Sequence, residues 1–234
     1  MNLVLNEWID KDIKKFEEYL QSLNNPLKVE WTRNIICTKY PLLAIKTPVV
    51  KDIAKEISRG NFESFLNYMP HNFYDSLAVN GFLIPKIKDF SAMKNMLDKY
   101  SDLVDCWAGC DLLKFNVKNN EENFLNLASD YIKSPKTFVR RIGVIILFNF
   151  TKSQQYLDMV FKLIKSLKQE QEYYVNMAVA WLVAELMIHN RNKTLEFLKT
   201  EPLNDFTINK AVQKCRDSFR VGDGDKQMLL KYKK

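Results

Sequence analysis

Residues 134–150 read Ser134-Pro135-Lys136-Thr137-Phe138-Val139-Arg140-Arg141-Ile142-Gly143-Val144-Ile145-Ile146-Leu147-Phe148-Asn149-Phe150. How this stretch is read separates an all-α chain from a mixed one. Val139 to Phe150 is rich in β-branched and aromatic residues, the composition of a buried strand. Its length, the hydroxyl-proline start at Ser134-Pro135 and the absence of a partner strand elsewhere argue for a helix. Arg140 and Arg141 sit side by side in it and must face about 100° apart on a helix. An unpaired buried guanidinium is costly, so at least one of the two should reach a paired or functional position.

Apolar residues recur at spacings of three and four along the rest of the chain, and only 6 of its 234 residues are glycine. Both features favour helices. The pattern predicts helices at about 7–23, 27–39, 48–58, 61–68, 72–84, 90–101 and 105–114, and again at about 121–133, 135–150, 153–167, 171–189, 191–199, 206–218 and 223–231. Thr47-Pro48 and Ser134-Pro135 each place a capping hydroxyl before a proline at the first helical position. Asn119 or Asn120 is expected to cap the helix that follows, and Asp205 or Thr207 the helix containing Lys210 to Asp217. The segments 135–150 and 171–189 are apolar nearly all round and should form inner layers. No Pro/Ser/Gly-rich linker divides the chain, so one domain over 1–234 is expected. Many short helices joined in pairs suggest an all-α fold, a right-handed α-solenoid of paired antiparallel helical repeats. The faint similarity between successive repeats is ordinary for the degenerate HEAT class.

Lys and Arg number 35 against 28 acids, giving a net charge of +7 and a pI near 9.1. That balance suits an ordinary basic surface or a polyanionic partner. No apolar run approaches the roughly 18 residues of a membrane span, and the first residues lack the pattern of a signal peptide. The expected compartment is the cytoplasm, with no membrane partner and a monomeric state. The cysteines are Cys37, Cys106, Cys110 and Cys215, and the histidines His71 and His189. No two-residue Cys gap marks a zinc knuckle or redox motif, so buried reduced thiols are expected, with no metal and no organic cofactor.

Three short patches carry the chemistry: Asp105-Cys106-Trp107-Ala108-Gly109-Cys110-Asp111, then Arg140-Arg141, then Ala180-Trp181. Trp107 and Asp111 are four residues apart and share a helix face. Arg141 follows Trp107 by 34 positions and Trp181 follows Arg141 by 40, each about one helix-pair repeat. In stacked repeats these groups could line one concave surface suited to holding a polyanion and stabilising a cation. Taken singly, each has a plainer reading: both tryptophans as core, Asp111 as a solvated or capping carboxylate. Glu185, one turn after Trp181, is placed to pair with an arginine. Lys210, Lys214, Arg216 and Arg220 form a basic stretch that is either an ordinary charged helix or a set of phosphate contacts, and Lys39 and Lys46 share that ambiguity.

From about Trp31 to Lys226 the chain resembles the AlkD-type DNA alkylation repair glycosylases, built from HEAT-like repeats. The landmarks are 39–48 (Lys39 to Pro48), 105–111, 138–144, 173–182 and 209–221, in order and near the family spacing. The resemblance implies that Trp107 and Asp111 are the tryptophan–aspartate pair, Arg141 the phosphate-binding arginine and Trp181 the second tryptophan. It implies excision of N3- and N7-alkylated purines from double-stranded DNA, with the damaged base not turned into a pocket. A cationic base is a good leaving group. Asp111 would stabilise the developing oxocarbenium ion and orient water, as in sugar hydrolysis, and the indoles would attract the cationic sugar and base edges. Two departures stand out. Ala44 replaces the family's usual glycine before Ile-Lys-Thr-Pro, and Ile35 and Ile36 stand where active relatives place an aromatic residue. A non-catalytic nucleic-acid binder is the alternative expectation, and a protein-interaction scaffold a weaker one.

Overall fold

Thr137–Leu147 is α-helix in the computed structural model, followed by a 3-10 turn at Phe148–Phe150. Helix propensity there is poor by a few tenths of a kcal/mol per residue. Burial decides the matter. Val139, Ile142, Val144, Ile145, Ile146 and Leu147 are all buried, and each such side chain contributes about 1.5–3 kcal/mol. The helix starts at Thr137, two residues later than the expected Pro135, and the Ser134 hydroxyl instead accepts the Lys136 N–H at 3.2 Å in the preceding turn.

The structure describes residues 1–200 and 203–234. Among them are fourteen α-helices and no strand, so the fold is all-α. They form two compact units, Met1–Asn116 and Val117–Lys234.

The first unit contains α1 (Asp10–Ser22), α2 (Pro26–Ile36), α3 (Thr47–Ile57), α4 (Phe62–Tyr68), α5 (Tyr74–Leu83), α6 (Phe90–Leu103) and α7 (Trp107–Asp111). Its far end is held by Trp8, Phe16 and Phe65, with ring centroids 4.9–6.1 Å apart in edge-on geometry. α5 is the hub, packed on α3, α1, α4 and α7. Gly81 permits the approach of α7. A Cβ there would lie 2.2 Å from Leu112 Cδ1 and 2.5 Å from the Tyr100 hydroxyl. α2 ends at Cys37, which adopts a left-handed conformation with φ 57°, so the expected continuation to residue 39 is cut short. α3 includes Thr47 as its first residue, with Lys46 as the flanking N-cap and no side-chain cap.

The second unit contains α8 (Glu121–Ile132), α9 (Thr137–Leu147), α10 (Leu157–Ser166), α11 (Tyr173–His189), α12 (Arg191–Thr200), α13 (Asp205–Asp217) and α14 (Asp223–Leu229). α9 packs between α8 and α11, and α11 between α9 and α13. The two all-round apolar helices therefore occupy inner positions, as their composition requires. Gly143 brings α9 onto α8, since a Cβ there would sit 3.0 Å from the Ala128 carbonyl oxygen. Asn204, rather than Asp205 or Thr207, caps α13 by accepting the Thr207 N–H at 2.9 Å. Asn120 flanks α8 without a side-chain cap.

A polar network joins the starts of two of these helices, α11 and α13. Buried Asn176 donates to the Glu170 carbonyl at 3.1 Å and accepts from Asn204 at 3.1 Å and from the Thr207 hydroxyl at 2.7 Å. Each group is satisfied, so the cost of its burial is met locally.

Candidate functional site

Trp107 and Asp111 lie at the two ends of α7, a helix of only five residues. So short a helix cannot hold its own geometry and is fixed from outside. Upstream, the Asp105 carboxylate accepts from the Thr38 hydroxyl at 2.7 Å and from the Lys39 N–H at 2.6 Å. The Tyr100 hydroxyl donates to the Gly109 carbonyl at 3.0 Å. The Trp107 indole donates to the Ile35 carbonyl at 3.0 Å and packs on the buried cluster of Ile36, Leu42 and Cys106. Trp107 and Asp111 are both half-buried.

They line one cleft of about 1000 Å³ within the first unit, at the upper end of the usual size for ligand sites. Ile36, Leu42 and Ala44 contribute apolar walls, and Lys51, Lys55, Lys86 and Lys114 contribute cations. The lysines were not singled out in the sequence, although Lys51 and Lys55 share a helix face one turn apart on α3. Tyr74 lines the cleft as well. Burial pushes its phenol well above the ordinary value, with Cys106, Asp75, Cys110 and Asp111 adding to the shift. It is therefore a neutral hydrogen-bond donor at any physiological pH.

Another part of the cleft wall is a built turn. Ala44 has φ 53°, a conformation that favours glycine. Buried Asp75 clamps it, its carboxylate accepting from the Leu43 N–H at 2.8 Å and the Ile45 N–H at 2.9 Å. Burial raises the Asp75 pKa, while these N–H groups pull it back. Ala44 thus stands where the backbone favours glycine. Exposed Lys46 follows this turn.

In the second unit, Arg141 is 5% exposed and donates to the Tyr174 carbonyl. It is a guanidinium set into the α9–α11 contact, with little surface open to solvent. Arg140 donates to Glu170 through two nitrogens, at 2.7 and 3.2 Å, and to the Ser134 carbonyl at 2.8 Å. Its side chain is 15% exposed and that of Glu170 6%. Arg140 is thus engaged by Glu170 and by the Ser134 carbonyl within the second unit. Trp181 is half-buried and stacks obliquely on Phe148, with centroids 4.4 Å apart.

The basic residues of α13 and its continuation diverge. Lys210 lies over the Phe206 ring, 5.6 Å from its centroid. Lys214 is half-buried and Arg216 exposed. Arg220 is bound through both terminal nitrogens to Glu185. The pairing expected of Glu185 is therefore present, and Arg220 is neutralised by it.

Cys106, Cys110 and Cys215 are buried, while Cys37 is exposed. Burial pushes the thiols of Cys106 and Cys215 up to about 12, so neither is a nucleophile at neutral pH. Among the described residues, no group of three or more His, Cys, Asp or Glu side chains is placed to hold a metal ion. No described helix is long and apolar enough to cross a membrane.

A family profile described as DNA alkylation repair enzyme matches residues 16–215. The chain belongs to that family, a class of proteins that act on DNA. No curated protein gives a match.

Proposed function

We propose that the chain hydrolyses the N-glycosidic bond of cationic N3- or N7-alkylated purines in double-stranded DNA. The observation that carries this reading is the placement of Trp107 and Asp111 on one face of α7, both opening into a lysine-lined cleft. A carboxylate beside an indole face suits a sugar that becomes cationic as the base departs. Asp111 stabilises that charge and orients the attacking water. Trp107 presents its face to the sugar and base edge from a position fixed by its N–H. No proton need reach a base that already carries positive charge, so no general acid is required.

Lys51, Lys55, Lys86 and Lys114 supply positive potential for the phosphate backbone. In the second unit, Trp181 and Arg141 contribute their own contacts to the duplex, with Lys210, Lys214 and Arg216 there and Lys46 in the first unit as further phosphate partners. Within this reading the helices are HEAT-like repeats, and the protein works as a cytoplasmic monomer over its whole length.

The test is release of 7-methylguanine and 3-methyladenine from methylated duplex DNA by purified protein. Release above the spontaneous rate supports the reading. A protein that binds the duplex but releases neither base is instead a non-catalytic DNA binder.

A further inference from the structure

One face of α2 carries three large apolar side chains that the described residues leave exposed. Leu27 is 93% exposed, Trp31 62% and Ile35 42%. They are spaced four residues apart and form one continuous stripe. Such a row is costly to leave in water, unlike scattered single apolar residues, and marks a surface with a partner.

The stripe adjoins the Asp111 cleft. Thr32 and Ile36, on the same helix, line that cleft, and the Ile35 carbonyl holds the Trp107 indole. At about 100° per residue, Lys28 lies about 60° from Trp31 on the side that leads to Thr32. Glu30, the only acid in α2, lies about 100° away on the other side. Lys28 Nζ sits 5.3 Å from the Trp31 ring centroid. Lys28 thus stands on the cleft side of the stripe, and Lys51 and Lys55 line the cleft itself.

An exposed indole with an ammonium beside it, bordering a cleft lined by four lysines, has the chemistry that binds an unpaired nucleotide. The base stacks on the ring and the phosphate meets the lysines. A protein partner would find the apolar row but has no use for cations on that side alone. We infer that α2 is a stacking ledge, with Trp31 as its platform and Leu27 and Ile35 as its apolar borders, for a nucleotide that has lost its pairing next to the cleft. This inference rests on the DNA reading above and names a feature of the substrate, namely local unpairing.

The test compares two labelled duplexes of one sequence, one fully paired and one with a single-nucleotide bulge, titrated with wild type, Trp31→Ala, Trp31→Phe and Leu27→Ser. The ledge predicts that wild type prefers the bulged duplex. It predicts that Trp31→Ala loses about tenfold on the bulged duplex and less than about twofold on the paired one, with Trp31→Phe keeping most of the affinity. Leu27→Ser, at a fully exposed side chain, should weaken bulge binding without changing the thermal midpoint. Equal losses on both duplexes, or none on either, overturn the ledge while leaving DNA binding intact. A wild-type dimer dissociated by Trp31→Ala also overturns it and makes the stripe a contact between copies. If wild type binds neither duplex, the DNA reading itself falls.

Discussion

The indole N–H of Trp107 donates to the main-chain carbonyl of Ile35, 72 residues earlier, at 3.0 Å. The bond ties the start of α7 to the end of α2 and fixes the ring before any ligand arrives. A group fixed in advance loses no freedom when the reaction begins. Trp107→Phe keeps an aromatic face and removes the tether. It should cost about 1 kcal/mol of stability and slow base release by more than the folded fraction explains. A thermal melt alongside a base-release assay checks this, and an unchanged rate would show that the tether serves stability alone.

Ala44 shows how finely the turn is balanced. The left-handed conformation costs an L-residue about 1–2 kcal/mol. Replacement by glycine relieves that cost but loses a buried methyl worth about 0.8 kcal/mol and adds about 0.4–1 kcal/mol of unfolded-state entropy. Ala44→Gly should therefore stay within about 0.5 kcal/mol of wild type. Ala44→Val, β-branched at φ 53°, should lose more than about 2 kcal/mol. Denaturant midpoints for the pair decide the matter, and a Val variant as stable as wild type would refute the conformational argument.

Glu17 is buried on α1, and neither carboxylate oxygen makes a hydrogen bond of good geometry, with Ser76 and the Asn72 main chain only loosely placed toward it. Burial raises its pKa, against weaker opposing pulls from Ser76, Asn72 and His71. The folded form therefore holds its proton more tightly than the unfolded chain. Stability attached to this group is present at low pH and falls as pH rises from about 4.5 through the folded value. Glu17→Gln should raise the melting temperature at pH 7 and change it little at pH 4. Equal shifts at both pH values would rule out ionisation as the cause.

Arg140 and Glu170 behave in the opposite way. Burial pushes the Glu170 carboxyl up, but Arg140 and the N–H groups of Glu172 and Gln171 outweigh it, and the net shift is downward. This contribution is present above the unfolded pKa and is lost as pH falls through the folded value. Arg140→Ala strands a carboxylate that is 6% exposed and should cost about 3 kcal/mol. The salt dependence of DNA binding should be unchanged, since the guanidinium is already engaged. A shallower slope of log affinity against log salt, with stability intact, would return Arg140 to the phosphate contacts.

Local pattern made the helices legible, and distance hid the rest. Val139 to Phe150 could be read as a helix because its length and surroundings left no strand to pair with, although its composition pointed the other way. The end of α2 carries no sequence signal, because Cys37, not a glycine, takes the left-handed turn. α7 was read too long because its ends are set by Asp105 and Tyr100 contacts rather than by its own periodicity. Trp107 and Asp111 were visible as a spaced pair. The engagement of Arg140 depends on Glu170, 30 residues away, and no spacing rule reports it. The cleft lysines come from three separate stretches of chain, and the exposure of Trp31 is a fact of packing that sequence does not contain.

The most direct test is Asp111→Asn, with thermal midpoint and base-release rate measured in parallel with wild type. The substitution keeps size and shape and removes the charge opposite the forming cation. Groups of this kind are worth about 2.7–4 kcal/mol, so release should fall about a hundred- to thousand-fold, far beyond any loss in the folded fraction. A rate that is unchanged, or that falls only in step with the folded fraction, would make Asp111 a structural carboxylate and contradict the mechanism.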